Sequence, residues 1–548
     1  MSFLSKNLTL MLIYVATTIY VVLSHAPSLL ISFVLSILMM SAFIWALNSI
    51  STTFAKITLF LYSICFFIQV FTIALTGNYI DEVALSNIYE YSSISKSVRV
   101  PVFIAFFVCL SGILLFKFSP NKHKRCAFVL MFFGGLLVYL VPYELPAISF
   151  IKKTYSTAAK YNKYRASNTH IKEEQKKIYG KNYVVPEDQY KFENVPNLQN
   201  KNIVLFFTEA LSAQKVDLFN DYEGLTPNLS EFIKKSFYFD NYYNHTFTTF
   251  RGIRGQLSSS YQYTGVVKAE RISSRSIRKK FFSEIITLPQ ILSQNGYNTY
   301  FLSARSDTVT NLNFMIRTLG FDYVFTPKYF NFDRDLSDQQ LFLELTKLIT
   351  EGKLKEPYFI AVYNIGTHFG QILSPVQYKD GDNSLLNNIH NFDDAFGHFF
   401  NKISSSDIIN NLAIVLTADH SAFADKQYCD TFGEHKPTWV NKVPFAIYAT
   451  DVSPQIIDAK GKNSVDFAPT LLHMMHINNA ENYFLGCSLF QLECTYPFEH
   501  YTVGGDIFYK TTPEQIVILS ESDAKADDTI KIIEDYYHLS ESLFFGEK

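Results

Sequence analysis

Five apolar segments lie in the first 145 residues, at about 8–24, 27–48, 55–76, 101–118 and 124–142. Each is about long enough to cross a hydrocarbon core of ~30 Å as a helix rising about 1.5 Å per residue. Five such segments in series demand a bilayer, and this requirement constrains the fold more than any other feature of the chain. The first segment lacks a small-residue cleavage site, so a removable leader does not account for it. The first two are separated only by SHAPS, which suits a tight helical hairpin. The densest basic loop, KFSPNKHKR (Lys117–Arg125), falls between the fourth and fifth segments and is expected on the cytoplasmic side with Lys6 and Lys56. An odd number of spans then places everything after about residue 143 on the opposite face, which in a bacterium is the periplasm or the exterior. Lys96 and Arg99 would also lie outside.

Two further segments belong to this membrane part. The loop YIDEVALSNIYEYSSISKSVRV carries Ile80, Val83, Leu85 and Ile88 at a spacing that suits a short interfacial helix. Residues 151–182 are rich in Lys and Tyr and have too few apolar side chains to build a core. They are read as a helix resting on headgroups and bridging two domains. The expected division is a five-span domain at 1–145, a bridge and linker at 146–199, and a soluble domain at 200–548. Lys and Arg number 48 against 50 Asp and Glu. No basic surface is available to neutralise a phosphate backbone, so nucleic acid is excluded as a partner.

From about residue 200, short apolar runs alternate with helical patterns. NIVLFFTEA (202–210), YFIAVYNIGTH (358–368) and LAIVLTADH (412–420) are continuous β-rich runs that end in polar residues; YNTYFLSARSD (297–307) and VPFAIYATD (443–451) repeat the design more weakly. Continuous apolar strands imply burial on both faces, hence a parallel sheet flanked by helices such as 281–295 and 387–404. Glu209, His368 and the pair Asp419–His420 all stand at carboxyl ends of these runs. In an open α/β sheet that edge binds ligands, so residues far apart in sequence are expected to converge there. Glu, Asp and His together suit a borderline divalent cation such as zinc or manganese.

One stretch gains a purpose from such a cation. NHTFTTFRGIRGQLSSSYQYTG (244–265) crowds Thr246, Thr248 and Thr249 against glycines, arginines and serines. A threonine hydroxyl becomes a usable nucleophile when a divalent ion lowers its pKa. Arg251 and Arg254 can offer paired contacts to phosphate oxygens. The residues alone leave the choice of threonine open.

The succession FFTEALSA, TPNLSEF, FYFDNYYNHTFTTFRG, TADH and DFAPTLLHMM…FLGCSLF resembles the alkaline-phosphatase/sulfatase superfamily. Five spans ahead of such a domain resemble the membrane phosphoethanolamine transferases that modify lipopolysaccharide, and also lipoteichoic acid synthases and other phosphoglycerol transferases. The resemblance implies an N-terminal bundle of five transmembrane helices and a C-terminal α/β sulfatase/alkaline-phosphatase-like domain with a mostly parallel central sheet. It implies Glu209, Thr249, Asp419 and His420 around the metal, Zn2+ with Mn2+ or Mg2+ as alternatives. The Gly-Thr-His turn at His368 and the histidine of GEHKPTWVNKVP, His435, are similar to the family's substrate-side histidines. Counting back from Ser258 and Ser259 favours Thr249 as nucleophile, with Thr248 the alternative. Asn87 falls in register with an ethanolamine-site pattern and Glu90 lies near it, although Tyr91 stands at the family's threonine position. The formylglycine-forming Cys-x-Pro-x-Arg of sulfatases is absent, and so are the cysteines that usually surround the phosphoethanolamine transferases' nucleophile.

The implied activity is transfer of phosphoethanolamine from phosphatidylethanolamine to a surface glycan, lipopolysaccharide core or lipid A, through a phosphothreonine. Phosphoglycerol transfer is the enzymatic alternative, and a non-catalytic membrane protein that binds glycan or lipid is the third. The protein is expected to act as a monomer in the bacterial inner membrane, multi-pass, with its catalytic domain in the periplasm. Cys487 and Cys494 of CSLFQLEC are a candidate disulfide, consistent with an oxidising compartment, or two buried thiols.

Overall fold

The computed structural model describes residues 15–16, 18–24, 26–48, 50–76, 79–80, 85, 145–166, 181–183, 195–261, 286–307, 312–368, 375–433, 440–478, 480–491, 494, 497–504 and 507–533. The chain divides into two compact units, the first made mainly of residues 1–88 and 94–162 and the second mainly of residues 163–424 and 430–548.

In the first unit, helices α1 (Leu30–Asn48) and α2 (Thr52–Thr76) run through the second and third apolar segments. Both are long and apolar enough to cross a membrane. Phe33 and Phe66 meet edge to face at 5.1 Å, and the Ser36 and Tyr62 hydroxyls are 2.7 Å apart. Leu38, Phe43, Phe54, Ile57 and Leu61 point outward and are exposed. An apolar outer face is what a lipid solvent requires and water penalises. Of the first segment, residues 18–24 are helical, and Val22 joins the cluster around Phe33 and Phe66. The fourth and fifth segments lie outside the described residues, as do Asn87 and Glu90. A third helix, α3 (Pro146–Ala166), begins at the proposed bridge.

The second unit is built on an eight-stranded sheet, and a short strand β1 (Lys181–Tyr183) lies apart from it. Its strands are β2 (Asn202–Thr208), β3 (Phe237–Asp240), β4 (Asn298–Ser303), β5 (Tyr323–Phe325), β6 (Tyr358–Tyr363), β7 (Leu412–Ala418), β8 (Phe445–Tyr448) and β9 (Gln455–Asp458). Their order across the sheet is β5-β4-β6-β2-β7-β8-β3-β9. Every residue of β2, β6 and β7 is buried, and these three strands are mutually parallel.

Alternation along β2 sends Phe206 and Phe207 to opposite faces. Phe206 packs on Phe342, Phe396 and Phe399 at 5.4 to 5.8 Å, from helices α7 (Asp338–Thr350) and α8 (Ser384–Ser404). Phe207 packs on Phe467 of helix α9 (Phe467–Met474) at 6.1 Å. Helices α4 (Pro227–Lys234), α5 (Thr249–Ser258) and α6 (Leu288–Gln294) also belong to this unit.

The run at 443–451 departs from expectation. It forms β8, which runs antiparallel to both β7 and β3. Apolar content reports burial on both faces and carries no direction, so the pattern could not reveal the reversal. Its Asp451 pairs instead with Lys201, at the start of β2, at 3.0 Å. Helix α8 starts at Ser384, ahead of the periodic stretch, because the Asn383 side chain accepts the backbone N–H groups of Leu385 and Leu386 as an N-cap. Beyond the main sheet, strands at Tyr501–Gly504, Ile507–Thr511 and Ile516–Ile518 form an antiparallel sheet of their own. Cys487 and Cys494 are disulfide-bonded.

Candidate active site

Strands β2 and β7 end side by side, with Thr208 opposite Ala418. Glu209 follows the first and Asp419–His420 follows the second, so parallel register alone brings the three together. One atom from each, Glu209 Oε1, Asp419 Oδ2 and His420 Nε2, faces the others. His420 Nε2 lies 3.4 Å from both carboxylate oxygens. All three residues are almost completely buried. None of these three atoms has a hydrogen-bond partner among the described residues.

Neighbouring bonds fix the orientation of each group. His420 Nδ1 lies 2.6 Å from the Ser421 carbonyl oxygen. A carbonyl only accepts, so Nδ1 carries the hydrogen and the neutral ring presents a lone pair at Nε2. Asp419 Oδ1 accepts the N–H groups of Ala210 and His420 at 2.9 and 2.7 Å, which leaves Oδ2 free to face the centre. Three orphaned buried acceptors aimed at one another are costly by themselves and suit a divalent cation. One nitrogen and two carboxylate oxygens are a donor set for zinc or manganese.

The charges agree with that reading. Burial pushes the Glu209 carboxyl up, but the close His420 imidazole, the charge of His368 and the Tyr363 hydroxyl outweigh it and hold the group below the usual carboxylate range. Burial, with the Glu209 charge beside it, pushes Asp419 up. Burial opposes charge on His420, yet the two carboxylates outweigh it and raise the imidazole to about 9. The pocket favours positive charge.

The threonine loop answers the choice left open by its composition. Thr246 Oγ1 donates to the Val503 carbonyl at 3.1 Å and is structural. Thr248 is the N-cap of α5 but its side chain makes no capping bond. Thr249, the first residue of α5, donates from Oγ1 to Glu209 Oε2 at 3.0 Å. Thr248 has φ 76° and ψ 139°, a region that costs a β-branched residue of the order of 1–3 kcal/mol. Ala210, next to Glu209, is also left-handed at φ 51°. Strained backbone therefore flanks both partners of the Thr249–Glu209 contact.

Two glycines let α5 approach this closely. A Cβ on Gly252 would lie 1.9 Å from the Asp419 carbonyl oxygen, and one on Gly255 would lie 2.0 Å from His245 Nε2. Gln256 Nε2 donates to the carbonyls of Ala418 and Asp419 at 2.9 and 3.3 Å, tying the helix to the end of β7.

Arg251 and Arg254 also sit on α5 and are buried. At about 100° per residue, Arg251 leaves the helix on the side opposite Thr249. His368 lies half-buried in the turn after β6, near enough for its charge to act on Glu209. His435 lies outside the described residues. The residues that sequence reading missed are Tyr363, Asn364, Thr367 and Gln256. Tyr363 closes an apolar strand and reads as core, and only its position at a strand end, beside NIGTH, marks it out.

The sequence profile described as Sulfatase matches residues 201–477. The chain belongs to the sulfatase family. Every described member of the cluster, from Glu209 to His420, lies inside the matched span, and the apolar helices precede it. Among curated relatives, lipoteichoic acid synthase 2 of Bacillus subtilis (strain 168) is 23% identical over 385 residues, 64% of this chain and 57% of that protein. The lipoteichoic acid synthase-like protein YvgJ of the same strain is 24% identical over 464 residues, 73% of this chain and 72% of that protein. Phosphoglycerol transferase I of Xanthomonas campestris pv. campestris (strain ATCC 33913) is 23% identical over 312 residues, 53% of this chain and 43% of that protein. The match thus spans little more than half of the first relative and less than half of the third. An alkaline phosphatase superfamily protein from Vibrio parahaemolyticus shares the fold, with TM-score 0.51 and 20% identity over 69% of this chain and 98% of that one.

Proposed function

We propose that this protein is a membrane-anchored, metal-dependent transferase that moves a phosphoryl headgroup from a phospholipid to a surface glycan through Thr249. The hydrogen bond from Thr249 to Glu209, beside three orphaned donor atoms, carries the reading. Glu209, Asp419 and His420 would hold the cation, with Thr249 beside them. A bound divalent ion supplies a lowered hydroxyl pKa and a positive charge for phosphate oxygens.

The rest belongs to the chain. Thr249 Oγ1 forms a bond to the donor's phosphorus as the bond to diacylglycerol oxygen breaks, and that oxygen leaves carrying a proton. An acceptor hydroxyl then forms the new P–O bond, loses its proton, and the Thr249 ester breaks. His368 and His435, the histidines singled out in the sequence, would shuttle these protons. The N–H groups of the first turn of α5 favour an anion at the helix N-terminus.

Glycerol phosphate is the headgroup we put first, because the curated relatives to which this chain is similar include proteins named lipoteichoic acid synthase and phosphoglycerol transferase. Phosphoethanolamine, transferred from phosphatidylethanolamine to lipopolysaccharide, is the second reading; Asn87, in register with the ethanolamine-site pattern, favours it, while Glu90 is displaced from the pattern's glutamate. A membrane donor fits a chain whose apolar helices keep the enzyme at the bilayer. The test is mass spectrometry of the full-length protein after incubation with phosphatidylglycerol or phosphatidylethanolamine in micelles. A glycerophosphate adduct on a peptide holding Thr249 is expected. A phosphoethanolamine adduct there would select the second reading, and the absence of any adduct would reject the covalent route.

A further inference from the structure

Glu209 is held at three points by one turn. From the last residue of β6 the chain reads YNIGTH, and the first, second and fifth of these residues grip it. The Tyr363 hydroxyl donates to Glu209 Oε2. Asn364 Oδ1 accepts the Glu209 N–H at 2.8 Å. Thr367 Oγ1 donates to the Glu209 carbonyl at 2.7 Å. The turn is fixed from behind by Asp338 at the start of α7, whose carboxylate accepts the Asn364 amide at 3.2 Å. A Cβ on Gly366 would lie 2.0 Å from that carboxylate, so the turn closes on it without room for a side chain. Tyr363, Asn364 and Thr367 are all buried.

We propose that Tyr363 is a positioning residue that selects which oxygen of Glu209 faces the cation; this rests on the metal reading above. Oε2 accepts two hydroxyls, from Tyr363 and from Thr249. Oε1 accepts none among the described residues and faces His420. The two oxygens of one carboxylate are therefore divided, one saturated with hydrogen bonds and one left for a ligand. The division has to outlast the reaction. Once Thr249 oxygen is esterified to phosphorus it has no hydrogen to donate. Tyr363 is then the remaining hydroxyl on Oε2 among the described residues, and it keeps the carboxylate from rotating toward the new phosphate. A tyrosine suits this task because its ring is buried and its hydroxyl donates to Glu209 Oε2. Partners that hold a ligating side chain in this way contribute ~10–100-fold to metal affinity.

The experiment measures Zn2+ affinity of the full-length protein by competition with a chromophoric chelator, for wild type, Tyr363→Phe, Glu209→Gln and the double variant. Tyr363→Phe is expected to weaken Zn2+ binding at least tenfold while the thermal midpoint in EDTA stays that of wild type. The double variant is expected to bind no more weakly than Glu209→Gln alone, since Tyr363 acts through Glu209. Unchanged Zn2+ affinity in Tyr363→Phe would overturn the proposal. So would an equal further loss in the Glu209→Gln background, which also decides the matter if Tyr363→Phe lowers the EDTA midpoint. If wild type and Glu209→Gln bind Zn2+ alike, the metal reading itself fails, an outcome distinct from failure of the Tyr363 role.

Discussion

Thr249 and Glu209 stand 40 positions apart in sequence, yet the hydroxyl of one donates to the carboxylate of the other at 3.0 Å. The contact depends on a strand end, a strained turn and a helix start meeting within one hydrogen bond. Thr248 is adjacent in sequence but meets no such partner. Replacing Thr249 by Ala should abolish the phosphoryl adduct and cut transfer by roughly 10³-fold or more, as loss of a covalent nucleophile does. Thr248→Ala should keep the adduct. Intact-protein mass spectra and headgroup transfer from labelled lipid check both, and loss of the adduct in Thr248→Ala with retention in Thr249→Ala would reverse the assignment.

The backbone of Thr248 predicts a stability order as well. At φ 76° a residue with a branched Cβ is strained, and glycine is not. Thr248→Gly should therefore be more stable than Thr248→Ala, by ~1 kcal/mol. Thermal midpoints of the two variants, measured side by side, decide it; an alanine variant equal to or above the glycine variant would show that the strain is relieved elsewhere.

Close approach of α5 to the end of β7 gives a graded series. Gly252→Ala drives a methyl into the Asp419 carbonyl at 1.9 Å, and backbone has nowhere to go. The helix must shift, and Thr249 shifts with it. Loss of stability of ~2–4 kcal/mol and loss of transfer are expected together. Gly224 is the control: its φ is +74°, but a Cβ meets nothing within 4 Å, so alanine there should cost only ~1 kcal/mol and leave transfer intact. Denaturant midpoints and activity at a temperature where all variants are folded check the pair.

How much of this was legible beforehand follows from what each residue does. Glu209, Asp419 and His420 could be read because polar residues closing buried strands stand out against apolar runs. Tyr363 could not, because an aromatic at the end of YFIAVY is indistinguishable from core until its hydroxyl is seen to meet Glu209. The direction of β8 was hidden because burial on two faces is the same for either direction. Strands β3, β5 and β9 are three or four residues long and leave too little periodicity to read. The strain at Thr248 and the closeness of Gly252 are properties of three-dimensional contact, and no local pattern announces them.

Asp338, behind the turn that holds Glu209, sets a pH dependence. Burial raises its carboxyl from 3.8 to about 6, against hydrogen bonds from Asn364, Asn391 and Gly366. A raised carboxyl stabilises the fold below its unfolded pKa, and the contribution is lost as pH rises through the folded value. The window therefore runs from about pH 4 to pH 6 and amounts to the order of 3 kcal/mol. Asp338→Asn cannot titrate. The stability of wild type minus that of Asp338→Asn should thus be larger at pH 4 than at pH 7.5, measured by denaturant unfolding at each pH. A flat difference would show that the carboxyl is not held neutral.

Cation binding should release a proton, because His420 is raised to about 9 by Asp419 and Glu209 when no cation sits between them. At neutral pH the free site holds a proton at Nε2 that a metal has to displace. Two consequences have signs. The contribution of protonated His420 to the metal-free fold is present below its ordinary value near 6.5 and lost as pH rises through about 9. Zn2+ affinity moves the other way, rising by up to roughly tenfold per pH unit between those limits. Titration calorimetry in two buffers of different ionisation enthalpy reads the proton count directly. At least one proton released per Zn2+ at pH 7.5 is expected, and fewer in Asp419→Asn, where one of the two carboxylates that raise His420 is gone. Proton uptake, or a count unchanged by Asp419→Asn, would mean that these three residues are not the ligands.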